Sequence, residues 1–221
     1  KKMVGRTHGG IETIRPLKDG VIADYEMNDA MLKGFIKRVI SQYTRPRIVI
    51  CIPSGVTSVE RRSVRESAEN VGASEVYLIE ESMAAAIGVG IDVSLPVGNM
   101  IVDIGGGTTE IAIISLNGIC SNETIKIAGD SQTQAIVDWF HNAHNLNIGD
   151  RTAEDIKCKA GSAIAFKDAD NIDVKGQDII SGIPRTIKIS TNDIAKALNS
   201  TVFQIYEAIK RVLDRMPPEH S

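Results

Sequence analysis

The chain has 221 residues, a formal net charge of -3 and a charged fraction of 24%. This length supports one large domain or two small ones, and the slight acidic excess argues against a nucleic-acid-binding protein. The three cysteines are far apart and odd in number, so they predict neither a disulfide framework nor a zinc site and fit a reducing compartment. The sequence contains no run of eighteen apolar residues, so it predicts no membrane-spanning helix.

The pattern of apolar residues predicts alternating helices and strands in the first hundred residues. The β-branched strand over 47–52 is expected to be buried on both faces, with Cys51 as a small buried hydrophobe. Thr57 and Glu60 have the spacing of a capping box, and Gly72 suits the position just after a helix. The predicted helices cover 26–41, 57–71 and 81–88, and the predicted strands cover 47–52 and 76–79.

The remaining sequence predicts three successive antiparallel strands, followed by helices with short strands between them. A hairpin turn is expected at Asn117-Gly118, and short strands are expected around Gly176 and Gly182. The strands of the first group cover 100–104, 109–116 and 119–127, and the helices cover 130–144, 152–163 and a long stretch that begins near 191 and ends before 217.

The most informative segment covers residues 103–110, with the sequence DIGGGTTE. Its glycines, Gly105, Gly106 and Gly107, join a strand to a strand, whereas a dinucleotide-binding fold places them between a strand and a helix. Several backbone amides of such a turn can point at one phosphate group. Asp103, at the end of the incoming strand, is placed to hold Mg²⁺ through water. A tight hairpin with an aspartate cap is the structural alternative.

An acidic residue, Glu81, opens the alanine-rich helix. A carboxylate is favoured at a helix N-terminus by the helix dipole, so Glu81 is either a cap or a residue that orients or deprotonates a water for attack on a phosphate. The residue pattern alone leaves both interpretations open.

The two segments over 81–88 and 103–110 together resemble the actin, Hsp70 and sugar-kinase superfamily, and within it the MreB family of bacterial cell-shape actins. The resemblance covers essentially the whole chain and implies an α/β, actin-like ATPase fold of the ribonuclease H-like kind, with mixed sheets, flanking helices and two lobes around a nucleotide cleft. Further stretches that fit the family cover 5–7, 15–24, 59–62, 127–130 and 182–185.

This resemblance implies ATP and Mg²⁺ as cofactors. The glycines at 105–107 would form the second phosphate loop of the ATP site, and Asp103 would hold the magnesium ion. Glu81 and Thr108 would hold the attacking water.

The resemblance also gives roles to Glu154 and Lys157, which match family positions that contact the ribose and the adenine. Their spacing of three places both on one face of a helix, and a surface ion pair is the alternative. The chain departs from the family pattern at three places, with Ser82 for a proline, Thr133 and Gln134 where acidic residues are usual and Lys159 for a glutamate. These changes bear on nucleotide affinity or rate rather than on the fold.

The resemblance implies a first lobe over 1–97 and a second over 98–221, with 129–188 as an inserted small subdomain. It implies slow hydrolysis of ATP to ADP and phosphate, polymerisation into membrane-associated filaments, and direction of cell-wall synthesis and rod shape. The expected partners are further copies of the chain, the inner membrane surface and membrane proteins of the wall-elongation machinery, with no nucleic acid. The expected location is cytoplasmic and peripheral to the inner membrane.

Two loops of the superfamily's ATP site find no match in the sequence, namely a Gly-x-Asp-x-Gly-Thr phosphate loop ahead of Asp103 and a Gly-Gly adenosine loop after the last helix. We therefore expect a piece of a longer protein that carries part of the ATP site. The loop at 41–46, with one aromatic residue, predicts modest direct membrane contact. An Hsp70-type chaperone ATPase domain, a phosphotransferase of the same superfamily and a binding module without ATP are the alternatives.

Overall fold

The computed structural model describes residues 10, 14, 17–18, 21–22, 24–39 and 45–216. The described residues form six helices and ten strands. The helices are α1 (Tyr25–Val39), α2 (Ser58–Asn70), α3 (Glu81–Gly88), α4 (Gly129–His144), α5 (Asp150–Ala160) and α6 (Thr191–Asp214). The strands are β1 (Leu17–Lys18), β2 (Val21–Ile22), β3 (Arg47–Ile52), β4 (Glu75–Glu80), β5 (Asn99–Ile104), β6 (Thr109–Ser115), β7 (Gly118–Ile125), β8 (Leu146–Asn147), β9 (Asn171–Asp178) and β10 (Pro184–Ser190).

The chain divides into two compact units. The first contains the described residues up to Ile101 together with Ile114–Ile119, and the second contains Val102–Ile113 together with the described residues from Cys120 onward. The lobe boundary at 97 and the inserted subdomain over 129–188 stay predictions.

In the first unit, β3 and β4 pair in parallel, from Arg47 opposite Glu75 to Ile52 opposite Glu80, and α2 connects them. The capping box that opens α2 is confirmed, because the Glu60 amide donates to Thr57 Oγ1 at 3.3 Å and the Thr57 amide donates to Glu60 Oε2 at 2.9 Å. The helix ends at Asn70, and Gly72, just after the C-cap Val71, has a φ of 99°, in the left-handed region that favours glycine. The local sequence therefore sets both ends of this helix.

The prediction that the 47–52 strand is buried on both faces is wrong. Exposed and less exposed residues alternate along β3, Val49 is 65% exposed, and Cys51 is exposed rather than buried. The physical reason is that a strand is buried on both faces only where a layer packs on each face, and the alternating exposure shows that one face of β3 has no such layer among the described residues. The strand that is buried along its whole length is β6.

The sheet that leads to the candidate site has the strand order β5-β6-β7. The turn between β6 and β7 lies at Leu116 and Asn117, with φ values of 51° and 60°, and not at Asn117-Gly118. Two consecutive residues with positive φ define the turn type that matches the twist of a hairpin. Gly118 is instead the first residue of β7.

The core of the second unit lies between α4, α5 and α6 and the sheet with the order β10-β9-β8. Phe140 and Ile136 on α4 are fully buried in it, as is Ile194 on α6. Strand β9 runs through Gly176 without a break, contrary to the expected short strands, and pairs with β10 along its length. A methyl group on Gly176 would lie 2.7 Å from the Asn147 carbonyl oxygen, so the absence of a side chain lets β8 approach β9.

Replacing Gly176 by alanine should destabilise the second unit by about 1–3 kcal/mol, the usual cost of overpacking. The added methyl would also meet Leu146 Cγ at 2.7 Å. Gly55→Ala is the control, because its methyl would meet nothing within 4 Å. Urea unfolding followed by circular dichroism measures both variants, and equal stability of the two would contradict the packing argument.

Candidate functional site

The glycine segment forms a closed turn between β5 and β6. The Gly105 amide donates to the Thr108 carbonyl at 2.9 Å, which leaves Gly106 and Gly107 at the tip. A methyl group on Gly105 would lie 3.2 Å from the same carbonyl oxygen. The loop therefore needs a glycine at 105 because the backbone approaches itself closely there.

Helix α4 fixes this loop through its first two amides. The Gly129 amide donates to the Gly105 carbonyl at 3.0 Å, and the Asp130 amide donates to the Gly106 carbonyl at 2.7 Å. Ala128 at the N-cap provides no side-chain hydrogen bond, so the loop carbonyls satisfy two of the amides that a helix N-terminus leaves free. A methyl group on Gly129 would lie 3.2 Å from the Gly105 carbonyl oxygen, which explains the glycine at that position.

A polar cluster of Thr133, Glu154 and Lys157 joins α4 to α5 beside the loop. Lys157 Nζ donates to the Gly129 carbonyl at 2.7 Å and to Thr133 Oγ1 at 2.9 Å, and it pairs with Glu154 Oε2 at 2.7 Å. Thr133 Oγ1 lies 2.6 Å from the same Glu154 oxygen. These contacts use all three donors of the Lys157 ammonium group.

The electrostatics of the cluster favour an ionised carboxylate. The hydrogen bond from Lys157 and then that from Thr133 lower the pKa of Glu154, and partial burial opposes them. The Lys157 side chain is 15% exposed and that of Glu154 is 48% exposed, so solvent screens the acid more than the base. The surface ion pair anticipated as an alternative is thus present in the structure.

The structure gathers most of the predicted site residues in the second unit. Asp103 lies partly buried on β5, two residues ahead of the glycine loop, and Thr108 closes that loop. Glu154 and Lys157 reach the loop through Gly129. Their roles toward a nucleotide stay predictions.

Glu81 belongs to the first unit, where it is the first residue of α3 and is partly buried. The residue before it, Glu80, is the N-cap and makes no side-chain cap hydrogen bond. Arg61 on α2 lies 3.4 Å from Glu80 Oε1 and donates to the Val56 carbonyl at 3.4 Å. Arg61 therefore ties the start of α3 to the capped end of α2.

The residues of the loop fit a nucleotide phosphate and a magnesium ion. The amides of Gly106 and Gly107 make no hydrogen bond within the described part of the chain, and amides in such turns bind anions. No group of three or more His, Cys, Asp or Glu side chains suited to a metal occurs among the described residues. Mg²⁺ needs no such group, because one carboxylate, water and phosphate oxygens suffice, and Asp103 can be that carboxylate.

Sequence reasoning assigned no role to Gly129 and noted Thr133 only as a departure from a family pattern. Gly129 lies in the stretch over 127–130, which fits the family pattern. That fit was the feature of the sequence that could have indicated a role for Gly129. The contacts of Thr133 join α4 to α5, 21 and 24 residues further along the chain, so no local pattern could indicate them.

Comparisons with known proteins identify the family of the chain. The family model for the MreB/Mbl protein matches residues 1–221. Mbl of Bacillus subtilis, a cell shape-determining protein, is 48% identical over 225 residues, which cover 100% of this chain and 67% of Mbl. The chain thus spans about two thirds of the length of this relative.

Solved structures show the same fold. MreB5 of Spiroplasma citri, crystallised with ADP and with AMPPNP, is 38% identical with a TM-score of 0.92, over 99% of this chain and 66% of MreB5. A subunit of the MamK double helical filament is 20% identical with a TM-score of 0.75, over 93% of this chain and 63% of that one. The fold is therefore that of the actin-like proteins. Within that class, the chain belongs to the MreB/Mbl family.

Replacing Glu154 by glutamine should reduce stability in a pH-dependent way. Because its pKa is lowered in the fold, the carboxylate stabilises the folded state above about pH 4.3, the unfolded value, and this stabilisation is lost as the pH falls through the lower folded value. The deficit of Glu154→Gln should be about 1 kcal/mol or less at pH 7, given the exposure of the acid, and smaller at pH 3. Urea unfolding at both pH values measures it, and a deficit independent of pH would contradict the assignment.

Proposed function

We propose that this chain binds Mg-ATP and acts as an actin-like cytoskeletal protein that polymerises into filaments at the inner membrane, where it directs cell-wall synthesis and rod shape. The observation that carries the proposal is the glycine loop held on the N-terminus of α4, with the amides of Gly106 and Gly107 available to an anion. The ADP and AMPPNP complexes of MreB5, which share the fold, support a nucleotide as that anion.

In this proposal the loop at 105–107 holds phosphate oxygens through its amides, and Asp103 holds the magnesium ion through water. The first two amides of α4 already bond to the loop carbonyls, so α4 orients the loop instead of binding phosphate with those amides itself. Fixed amides need no rearrangement when the ligand arrives, which favours binding.

The cluster at α5 would meet the nucleoside. The donors of Lys157 are occupied within the cluster, so its alkyl stem is the part of the side chain that can pack on an adenine without breaking a hydrogen bond. Glu154 keeps Oε1 as an acceptor, since within the described part of the chain this oxygen accepts only a weak hydrogen bond from Cys158 Sγ at 3.8 Å. That oxygen can accept a hydrogen bond from a ribose hydroxyl.

Bound ATP would supply a phosphoanhydride bond whose hydrolysis changes the state of the filament. Glu81 would accept the proton of the attacking water, and the Thr108 hydroxyl would orient that water. Positioning and electrostatics account for most of the catalysis in phosphoryl transfer. The hydrolysis that the family resemblance implies is slow, and it would time the change in the state of the filament. The lobes over 1–97 and 98–221 would enclose the nucleotide.

The filament and membrane parts of the proposal rest on the family. Mbl is a cell shape-determining protein, and MamK, which shares the fold, forms a double helical filament. No helix within the described residues is both long enough and apolar enough to cross a bilayer. Peripheral contact with the inner membrane is part of the proposal that the family suggests. The loop at 41–46, proposed for direct contact, lies outside the described residues except at 45 and 46.

Asp103→Asn should lower the affinity for Mg-ATP about tenfold or more, the usual cost of disturbing a group that supports a metal, with little change in stability. Asp138→Asn is the matched control, because Asp138 lies exposed on α4 and accepts only a hydrogen bond from Gln134. Titration with a fluorescent ATP analogue, with and without Mg²⁺, measures both. Equal affinities of the two variants would remove Asp103 from the site.

The complete gene product that contains these residues should form filaments on anionic lipid with Mg-ATP and none without nucleotide, as seen by electron microscopy. In Glu81→Gln the filaments should persist while phosphate release slows about a hundredfold, since general base catalysis contributes roughly that much. Dispersed particles in both conditions would contradict the cytoskeletal function and would favour the chaperone or phosphotransferase alternatives.

A further inference from the structure

Thr133 lies within hydrogen-bond distance of both other side chains of the polar cluster and of the Gly129 carbonyl, as Lys157 also does. Thr133 Oγ1 lies 2.9 Å from the Gly129 carbonyl oxygen, 2.6 Å from Glu154 Oε2 and 2.9 Å from Lys157 Nζ. Thr133 is only 8% exposed, so few water molecules can replace these contacts. A hydroxyl can accept from the ammonium group while it donates to one of the two oxygens.

Gly129 continues these contacts to the glycine loop. Its carbonyl oxygen accepts from Lys157 and lies 2.9 Å from Thr133 Oγ1, while its amide donates to the Gly105 carbonyl at 3.0 Å. A methyl group at Gly129 would lie 3.4 Å from Lys157 Nζ and 3.2 Å from the Gly105 carbonyl oxygen. Gly129 is thus packed between the cluster and the loop, and its position determines the position of both.

We propose that Thr133 is a positioning residue, whose hydroxyl holds Glu154, Lys157 and Gly129 together and thereby fixes the glycine loop. This inference rests on the proposed function, because it couples the residues that would meet the nucleoside to the loop that would meet the phosphates. Thr133 itself touches neither part of the nucleotide in this account and acts through Gly129.

The test is amide hydrogen exchange of the 221-residue chain by NMR, without nucleotide, in Thr133→Val. Valine keeps the shape of threonine and removes the hydroxyl. The amides of Gly129 and Asp130, which bond to the loop, should exchange roughly three- to tenfold faster, as the loss of one hydrogen bond allows. Unchanged exchange at both amides would overturn the inference.

Two further variants separate positioning from general destabilisation. Thr133→Ser keeps the hydroxyl and should restore the original exchange. Thr201→Val removes an equally buried hydroxyl, which donates to the Leu198 carbonyl of its own helix at 2.7 Å, and should leave the exchange of Gly129 and Asp130 unchanged. Faster exchange in Thr201→Val as well would overturn the inference, because the effect would then be global.

Nucleotide affinity distinguishes failure of this inference from failure of the proposed function. Thr133→Val should weaken Mg-ATP binding by roughly the same three- to tenfold factor, and Thr133→Ser should bind as the original chain does. If the original chain bound no Mg-ATP, the proposed function would fail, while the exchange measurements would still decide whether Thr133 fixes the loop.

Discussion

Two hydrogen bonds, from the Gly129 and Asp130 amides to the carbonyls of the glycine loop, connect the helical part of the second unit to the sheet that carries the loop. Helix α4 has no side-chain cap at Ala128, so its first turn and the loop complete each other's hydrogen bonding. A side chain at Gly129 would crowd the Gly105 carbonyl oxygen, which would lie 3.2 Å from the added carbon. The candidate phosphate site is therefore a property of the tertiary structure, and the glycines alone would not create it.

The ion pair between Glu154 and Lys157 is present in the structure, and it is compatible with the contact to a nucleoside that we propose for the same two residues. Lys157 is mostly buried, and its ammonium group donates to groups of the protein. Glu154 is about half exposed, and its Oε1 accepts only a weak hydrogen bond within the described residues. An exposed ion pair contributes little to stability, but a mostly buried ammonium group needs its acceptors. Lys157 also donates to the carbonyl of Gly129, whose amide bonds to the loop, so in the proposed function binding at α5 would be coupled to the shape of the loop.

The sequence was sufficient for several features that depend on a few neighbouring residues, although the hairpin turn lies one residue earlier than expected. The capping box at Thr57 and Glu60 and the glycine end of α2 are of this kind, and both are as expected. The actin-like fold and the family were predicted from the resemblance and not from the residue pattern alone. Burial of β3 could not be predicted, because it depends on which elements cover the strand rather than on its own β-branched residues. The contacts of Thr133 could not be predicted either, since its partners on α5 lie more than twenty positions away.

The central claim is that the glycine loop on α4 is the place where a nucleotide's phosphates and metal bind. The most direct measurement replaces Mg²⁺ by paramagnetic Mn²⁺ and follows the amide resonances of the chain as substoichiometric Mn-ATP is added. The account predicts selective broadening of the resonances of residues 103–108 and of Gly129 and Asp130, reversed by excess Mg-ATP. Broadening centred on another part of the chain, with these resonances unaffected, would contradict it.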